Sequence, residues 1–205
     1  MTLMPTDELA PLQTTEQLVQ LLERSRHRSE RPDGPDESAR PAASERVGIL
    51  DHGLQCAAVL RRDRPDDLEL QVAGLVHDLG HVAVPADADG HGRHGRVLFA
   101  DLLGERVAAL VELHVAAKRY LVTVESGYGG TLSPGSVRTL AEQGGPMTPA
   151  EVVAFEAEPH HLDAIVLRRA DEAAKVPGRV VPGLDEWIPR IEALVATRRI
   201  LNTRP

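Results

Sequence analysis

The stretch Leu75–His81, LVHDLGH, places a histidine and an aspartate side by side in an otherwise apolar run. The pattern predicts that the pair lies near the end of a helix that Gly80 terminates. Adjacent residues on a helix point about 100° apart, so a single packed partner does not readily satisfy both His77 and Asp78. Two metal ions that share a bridging carboxylate would satisfy both. The alternative is a pair that merely caps a buried helix. The positions of the other histidines distinguish the metal site from the helix cap.

The composition narrows the class of protein before any motif is considered. With 31 acidic and 23 basic residues the formal net charge is −8, which argues against a nucleic-acid partner. Cys56 is the only cysteine, so no intramolecular disulfide forms and a cysteine-based metal cluster is not expected. The first 12 residues lack the features of a signal peptide, and no apolar run is long enough to span a membrane. We therefore expect a cytoplasmic protein with a small-molecule partner; its oligomeric state stays open.

Apolar residues recur with a helical period along most of the chain, and no stretch alternates convincingly with period two. We expect an all-α helical bundle. Residues 1–43 should form a short N-terminal helix at about 14–25 and a mobile segment rich in Pro, Arg and Ser. Residues 44–205 should form one domain with a C-terminal helix. Its main helices are predicted at about 44–63, 66–79, 105–122, 136–143, 160–175 and 185–200.

The candidate metal ligands each lie on, or at the end of, a separate predicted helix. They are His52, His77, Asp78, His91 or His94, His114 and Asp171. Helices packed as a bundle can direct such residues at one interior point. Imidazole and carboxylate donors without thiolate suit Fe, Mn, Co, Ni or Zn. Six ligands exceed what one structural zinc needs, so the pattern favours two metals with Asp78 as the bridge.

The order His…His-Asp…His…His…Asp resembles the HD-domain superfamily, a helical metal-dependent fold, over about residues 45–175. Three further segments are more specific: LHVAAKRYL at 113–121, TLSP at 131–134 and QGGPM at 143–147. They resemble the HD-domain oxygenases of organophosphonate metabolism, which are related in mechanism to myo-inositol oxygenase. This resemblance implies a mixed-valent Fe(II)/Fe(III) pair that uses O2 to cleave the C–P bond of a 1-hydroxyalkylphosphonate, with release of phosphate and a carboxylate.

The resemblance also implies roles for individual residues. The iron ligands would be His52, His77, Asp78, His91, His114 and Asp171, with His94 as the alternative to His91. The family pattern of His, three residues and Gly fits His91 and Gly95, which favours His91. Substrate would be held by His81, Lys118, Arg168, Glu45 and one of two serines, Ser133 or Ser136, with Ser136 preferred. His77, Asp78, His81 and Lys118 would form the catalytic group.

Simpler alternatives exist for the substrate residues. His81 fits a C-terminal-turn histidine favoured by the helix dipole, Lys118 fits a lysine that extends along the surface, and Arg168 could pair with Asp171 three residues on. The chain also departs from relatives that act on aminoethyl substrates, because Ala42 stands where they carry a tyrosine gate, three residues before Glu45. The substrate's tail and a catabolic or biosynthetic role therefore stay open.

Two other functions compete with the oxygenase. A metal-dependent phosphohydrolase acting on a nucleotide or phosphate monoester would use the same ligands with a metal-bound hydroxide. A non-catalytic ligand-sensing module of the same fold is the second rival. The combination of Lys118, Ser136 and Arg168 with six metal ligands favours the oxygenase over both.

Overall fold

The computed structural model describes residues 9–26, 28, 47–87 and 90–202. Within these ranges the secondary structure is helical and contains no strand, as the sequence predicts. The helices are α1 (Thr15–Ser25), α2 (Ile49–Asp63), α3 (Leu68–Val76), α4 (Gly80–Ala83), α5 (His91–Leu103), α6 (Glu105–Val124), α7 (Pro134–Glu142), α8 (Pro149–Glu156), α9 (His161–Ala173) and α10 (Leu184–Asn202), with a 3-10 helix at Tyr128–Thr131. Among the described residues, no helix combines the length and the apolar character needed to cross a membrane.

Five helices surround the region where the predicted ligands lie. α6 packs against α3, α5 and α9, while α2 packs against α3 and α9. Their facing surfaces are almost entirely aliphatic, as the low aromatic content requires. Trp187 of α10 is fully buried and is one of the largest core side chains. The polar ligands are therefore enclosed by an apolar shell, which strengthens electrostatic interactions between them.

The turn that carries His77 and Asp78 corrects the prediction made from the sequence. The predicted helix to Leu79 ends at Val76, residues 77–79 form a turn, and Gly80 begins α4 instead of ending a helix. Hydrogen bonds from Leu79 N to Val76 O (3.0 Å) and from His81 N to Asp78 O (3.1 Å) tighten this turn. Since the turn is tighter than an α-helix, the 100° separation of neighbouring side chains does not apply here.

The start of α2 also differs from the prediction. Gly48, in an extended conformation, is its N-cap, and the first helical hydrogen bond runs from His52 N to Gly48 O (2.8 Å). His52 therefore lies in the first turn of α2 and not in the middle of a helix. Ser44, the predicted N-cap, lies outside the described residues.

Caps define the starts of α1, α7 and α8, and a proline lies inside α10. Thr14 and Thr148 both form capping boxes, at α1 and α8. Ser133 caps α7 by accepting a hydrogen bond from Ser136 N (3.2 Å), so this helix begins earlier than predicted. Pro189 lies in the second turn of α10, although a helix tolerates proline best in its first turn. The neighbouring buried residues Trp187 and Ile191 hold α10 in place despite the hydrogen bond that proline removes.

Candidate metal centre

Asp78 lies between two groups of candidate ligands and presents one carboxylate oxygen to each. Its Oδ2 is 3.5 Å from His52 Nε2 and 3.4 Å from His77 Nε2. Its Oδ1 is 3.6 Å from His91 Nε2 and 3.7 Å from His114 Nε2. A carboxylate with a histidine pair at each oxygen is arranged to bridge two cations.

The first group is completed by a second carboxylate. Asp171 Oδ1 lies 3.0 Å from His52 Nε2 and 3.8 Å from His77 Nε2, and these two imidazole nitrogens are 3.2 Å apart. The side chains come from α2, α9 and the turn after α3. Two imidazoles and two carboxylates thus converge on one point.

The second group consists of His91 and His114, whose Nε2 atoms lie 3.0 Å apart. His91 is the first residue of α5, and His114 lies in the middle of α6. With Asp78 they supply two imidazoles and one carboxylate. This donor set is the one that non-haem Fe(II) oxygenases use while keeping coordination positions open for other ligands.

Backbone carbonyls orient the imidazole rings toward the centre. His77 Nδ1 is 2.9 Å from Gly74 O, and His114 Nδ1 is 2.5 Å from Val111 O. Since a carbonyl only accepts, each Nδ1 carries a proton, so each Nε2 presents a lone pair to the centre whenever its ring is neutral. Lone pairs that face other nitrogens at this range repel one another, whereas metal ions would bind them. The residues present therefore fit a metal pair, and the Nδ1 contacts are the outer-shell bonds typical of metal-binding histidines.

The charges of the cluster are strongly coupled. Burial would raise the pKa of Asp78, but the surrounding imidazoles, above all His77, hold it well below its usual range. Burial lowers the pKa of His77, yet Asp78 and Asp171 outweigh this effect and raise it to about 9. Burial and the neighbouring His91 and His77 together hold the pKa of His114 well below its usual range. Without cations the cluster thus keeps both carboxylates ionised and cannot protonate all of its imidazoles.

The structure separates the two candidates for the remaining histidine ligand by position. His91 Nε2 faces Asp78 and His114, as described above, whereas His94 Nε2 lies 3.3 Å from Asp87 Oδ2. Asp87 and burial act oppositely on the pKa of His94, and burial prevails, so that pKa is lowered. We therefore retain His91 in the proposed ligand set.

His81 lies directly beside the second group of ligands. Its ring stacks on that of His91, with centroids 3.9 Å apart and an angle of 17° between the planes. Donor atoms of Asp78, His81 and His91 also lie within 4.8 Å of one another. His81 is thus close enough to touch a metal in this group or a molecule bound to it.

Lys118, four residues after His114, is buried at 4% exposure, so it is not a lysine that extends along the surface. Its Nζ donates to Thr139 Oγ1 on α7 at 2.7 Å. The charged end of Lys118 is therefore held at the interface between α6 and α7, on the side of α6 that carries His114.

Arg168 is the centre of a buried polar network next to Asp171. Its Nη1 donates to Asp171 Oδ2 and its Nε donates to Tyr128 Oη at 3.1 Å. Its Nη2 donates to Ser136 Oγ (3.2 Å) and to Glu172 Oε2. Of the two serines, Ser136 thus contacts Arg168 directly.

Three members of this network are absent from the sequence prediction: Tyr128, Glu172 and Lys175. Lys175 Nζ lies 2.9 Å from Ser136 Oγ and 3.1 Å from Asp171 Oδ1. The spacing of Arg168, Asp171 and Lys175 on one helical face was a usable signal for the lysine. Tyr128 carries no such signal, because the loop after α6 gives no period from which to place it. Glu45 and Ala42 lie outside the described residues.

The geometry of the centre agrees with comparisons with known proteins. The family model described as "HD domain" matches residues 44–174. The chain belongs to the HD-domain family. This confirms both the all-α bundle and the superfamily inferred from the histidine and aspartate order.

Relatives of this HD-domain protein carry names that are more specific. It is 39% identical over 158 residues to "Hydroxymethylphosphonate dioxygenase" of Gimesia maris, covering 73% of this chain and 78% of the relative. It is 30% identical over 159 residues to "[1-hydroxy-2-(trimethylamino)ethyl]phosphonate dioxygenase (glycine-betaine-forming)" of Leisingera caerulea, covering 74% and 81%. It is also 30% identical over 148 residues, 67% of each chain, to the mimivirus protein "Uncharacterized protein L432". The predicted resemblance to HD-domain phosphonate oxygenases is confirmed.

Proposed function

We propose that this HD-domain protein is an iron-dependent dioxygenase that cleaves the C–P bond of a small 1-hydroxyalkylphosphonate. The observation that carries the proposal is the position of Asp78, with one carboxylate oxygen facing each of two histidine pairs. The names of the two dioxygenase relatives support the reaction class. Hydroxymethylphosphonate is the first substrate to test, and one molecule of it with one O2 would give formate, hydrogen phosphate and a proton.

In this proposal two irons occupy the centre in the mixed-valent Fe(II)/Fe(III) state. His52, His77 and Asp171 would hold one iron, His91 and His114 would hold the other, and Asp78 would be shared by both. The pair supplies the O2 activation and electron transfer that side chains alone do not provide. Fewer protein donors surround the second position, which leaves more room there for exogenous ligands.

The protein's own contribution is to bind and orient the phosphonate. His81 lies beside the second position. Lys118 and Arg168 would place buried positive charge near the substrate phosphonate, whose charge is close to −2. Arg168 would donate a charge-assisted hydrogen bond to the phosphonate through Nη2, because its Nε and Nη1 already donate to Tyr128 and Asp171, and Ser136 would add a hydroxyl donor. Holding the phosphorus group in this way fixes the position of the carbon that is oxidised. These basic residues account for anion binding by an acidic chain.

The deciding experiment compares aerobic and anaerobic turnover of iron-loaded protein with hydroxymethylphosphonate. The proposal expects phosphate and formate to appear in equal amounts, with one O2 consumed for each. Phosphate release from hydroxymethylphosphonate that continues without O2 would refute the oxygenase. Phosphate release without O2 from a nucleotide or phosphate monoester, which contains a P–O ester bond, would instead identify the HD phosphohydrolase. An EPR signal from the as-isolated enzyme would test the mixed-valent state separately, because a Fe(II)/Fe(III) pair has an odd number of electrons.

The tail of the substrate is tested with a panel of 1-hydroxyalkylphosphonates of increasing length and charge. The two named relatives act on substrates with very different tails. A preference for the hydroxymethyl compound over a 2-amino compound would indicate that Glu45 does not hold an ammonium group. The opposite preference would place Glu45 in the substrate site.

A further inference from the structure

A carboxylate of the protein already occupies the hydrogen-bond donors of the proposed phosphonate pocket. Glu172 Oε2 accepts hydrogen bonds from Ser136 Oγ (3.0 Å) and from Arg168 Nη2. Glu172 Oε1 accepts a hydrogen bond from the backbone N–H of Ser133, the N-cap residue of α7. The Glu172 side chain is only 13% exposed. Its two oxygens thus engage the serine, arginine and helix N-terminus that an anionic substrate would engage.

We propose that Glu172 is an internal substitute for the substrate phosphonate, which must displace it to bind. The inference rests on the proposed function, since it takes Ser136 and Arg168 as phosphonate ligands. Glu172 would then be a specificity-determining residue that weakens the binding of every anion. Only ligands with enough acceptor oxygens to replace its hydrogen bonds would enter.

The charges around Glu172 require such a displacement. Arg168 and Lys175 carry two positive charges, and Asp171 and Glu172 carry two negative charges, so the network is neutral as it stands. A phosphonate of charge near −2 placed beside Ser136 would meet the Glu172 carboxylate at close range. Like charges in a buried site repel strongly. Withdrawal of Glu172 removes this repulsion and frees Arg168 Nη2 and Ser136 Oγ to donate hydrogen bonds to the phosphonate.

Arg168 does not depend on Glu172 for its position. Its Nη1 stays bound to Asp171 Oδ2 and its Nε to Tyr128 Oη, so two of its three contact points remain when Glu172 leaves. The remaining terminal nitrogen, Nη2, is the one shared by Glu172 and Ser136. Asp171 and Tyr128 therefore hold the guanidinium in place, and its Nη2 donates to whichever anion is bound, Glu172 or the phosphonate.

The experiment measures binding of methylphosphonate, which lacks the hydroxyl at the reacting carbon, to iron-loaded protein under anaerobic conditions. Glu172→Gln keeps the size of the side chain and removes its charge. We expect it to bind methylphosphonate about tenfold more tightly than wild type, the scale of one charge-assisted hydrogen bond. The KM for hydroxymethylphosphonate should fall by a similar factor without a rise in kcat. Glu172→Asp, which withdraws the carboxylate by one methylene, should change both quantities in the same direction by a smaller factor.

Glu125→Gln is the matched control. Glu125 follows α6 and pairs with Arg169, which lies on the exposed side of α9, the helix that carries Glu172. It should leave binding unchanged. Weaker or unchanged binding by both Glu172 variants, with normal iron content and helical signal, would overturn the role of Glu172 and make it a residue that merely joins α9 to α7. Failure of the proposed function is distinguishable, because wild type itself would then show no O2-dependent release of phosphate from hydroxymethylphosphonate.

Discussion

The close approach of Gly80 to His91 predicts that one methyl group will disrupt the second half of the metal centre. A Cβ built at Gly80 would lie 2.0 Å from His91 O and 2.9 Å from His91 Cα. Real Cβ atoms essentially never approach other atoms more closely than 3.0 Å. In Gly80→Ala, α4 and the start of α5 must therefore separate by about 1 Å, the difference between these two distances.

The displacement is large compared with the tolerance of a metal site. Designed and natural sites keep their ligand distances within about 0.2 Å of the preferred values. His91 would move several times farther than that from Asp78 and His114. Overpacking costs about 1–3 kcal/mol, whereas alanine in place of a helical glycine contributes about 0.5–1 kcal/mol of stability. The net loss is about 0–2.5 kcal/mol, which corresponds to a fall in Tm of up to roughly 10 °C for a chain of this size.

Iron analysis, thermal unfolding and O2-dependent phosphate release test this prediction together. We expect Gly80→Ala to lose the iron held by His91 and His114, to keep the iron held by His52 and to lose turnover. Gly130→Ala is the control, since a Cβ at Gly130 meets nothing within 4 Å. A Gly80→Ala protein with full iron content, full activity and a higher Tm would refute the argument that this contact positions the ligand.

Three other changes test separate parts of the site and fold. Asp78→Ala should remove the bridge, lower iron content and abolish turnover while the far-UV circular dichroism stays helical; an active variant would exclude Asp78 as the bridge. Lys118→Ala should raise the KM for hydroxymethylphosphonate about 10- to 100-fold, the equivalent of one hydrogen bond to a charged group, with iron content retained; a wild-type KM would remove Lys118 from the pocket. Asp67→Asn should lower the free energy of unfolding by about 1 kcal/mol at pH 7, because Asn still caps α3 but no longer pairs with Arg106. Hydrogen bonding to Arg106 lowers the pKa of Asp67 in the folded protein. The difference in urea denaturation between wild type and Asp67→Asn should therefore be full above the unfolded pKa, about 3.9, and shrink as pH falls below it; a difference independent of pH would exclude the ion pair as its source.

The sequence predicts the fold well because helical periods and caps are local properties. The capping boxes at Thr14 and Thr148, for example, each join residues only three positions apart in the chain. The turn at His77 and Asp78 could not be predicted in this way. It depends on the contact between Gly80 and the backbone of His91, which joins segments 11 residues apart through a close packing that no periodic pattern encodes.

The proposed substrate pocket likewise depends on contacts between distant segments, which local sequence patterns do not encode. Arg168 and Ser136 could be proposed from motif and spacing, but their contact joins α9 to α7, 32 residues earlier in the chain. Glu172 was not singled out, because a charged residue on a helix usually faces solvent. Only the packed arrangement reveals that this carboxylate points at the N-terminus of α7 and not at water.

The tight turn at His77 and Asp78 removes one of the two reasons to expect two metal positions. On a regular helix, the side chains of two neighbouring residues point about 100° apart. His77 and Asp78 would then face two different metal positions. In the turn, His77 Nε2 and Asp78 Oδ2 lie 3.4 Å apart and face the same position. The case for two positions therefore rests on the other oxygen, Asp78 Oδ1, which faces His91 and His114. His91→Ala tests the bridge more directly than any change at His77, because it removes a ligand from one side only and should leave the other iron bound.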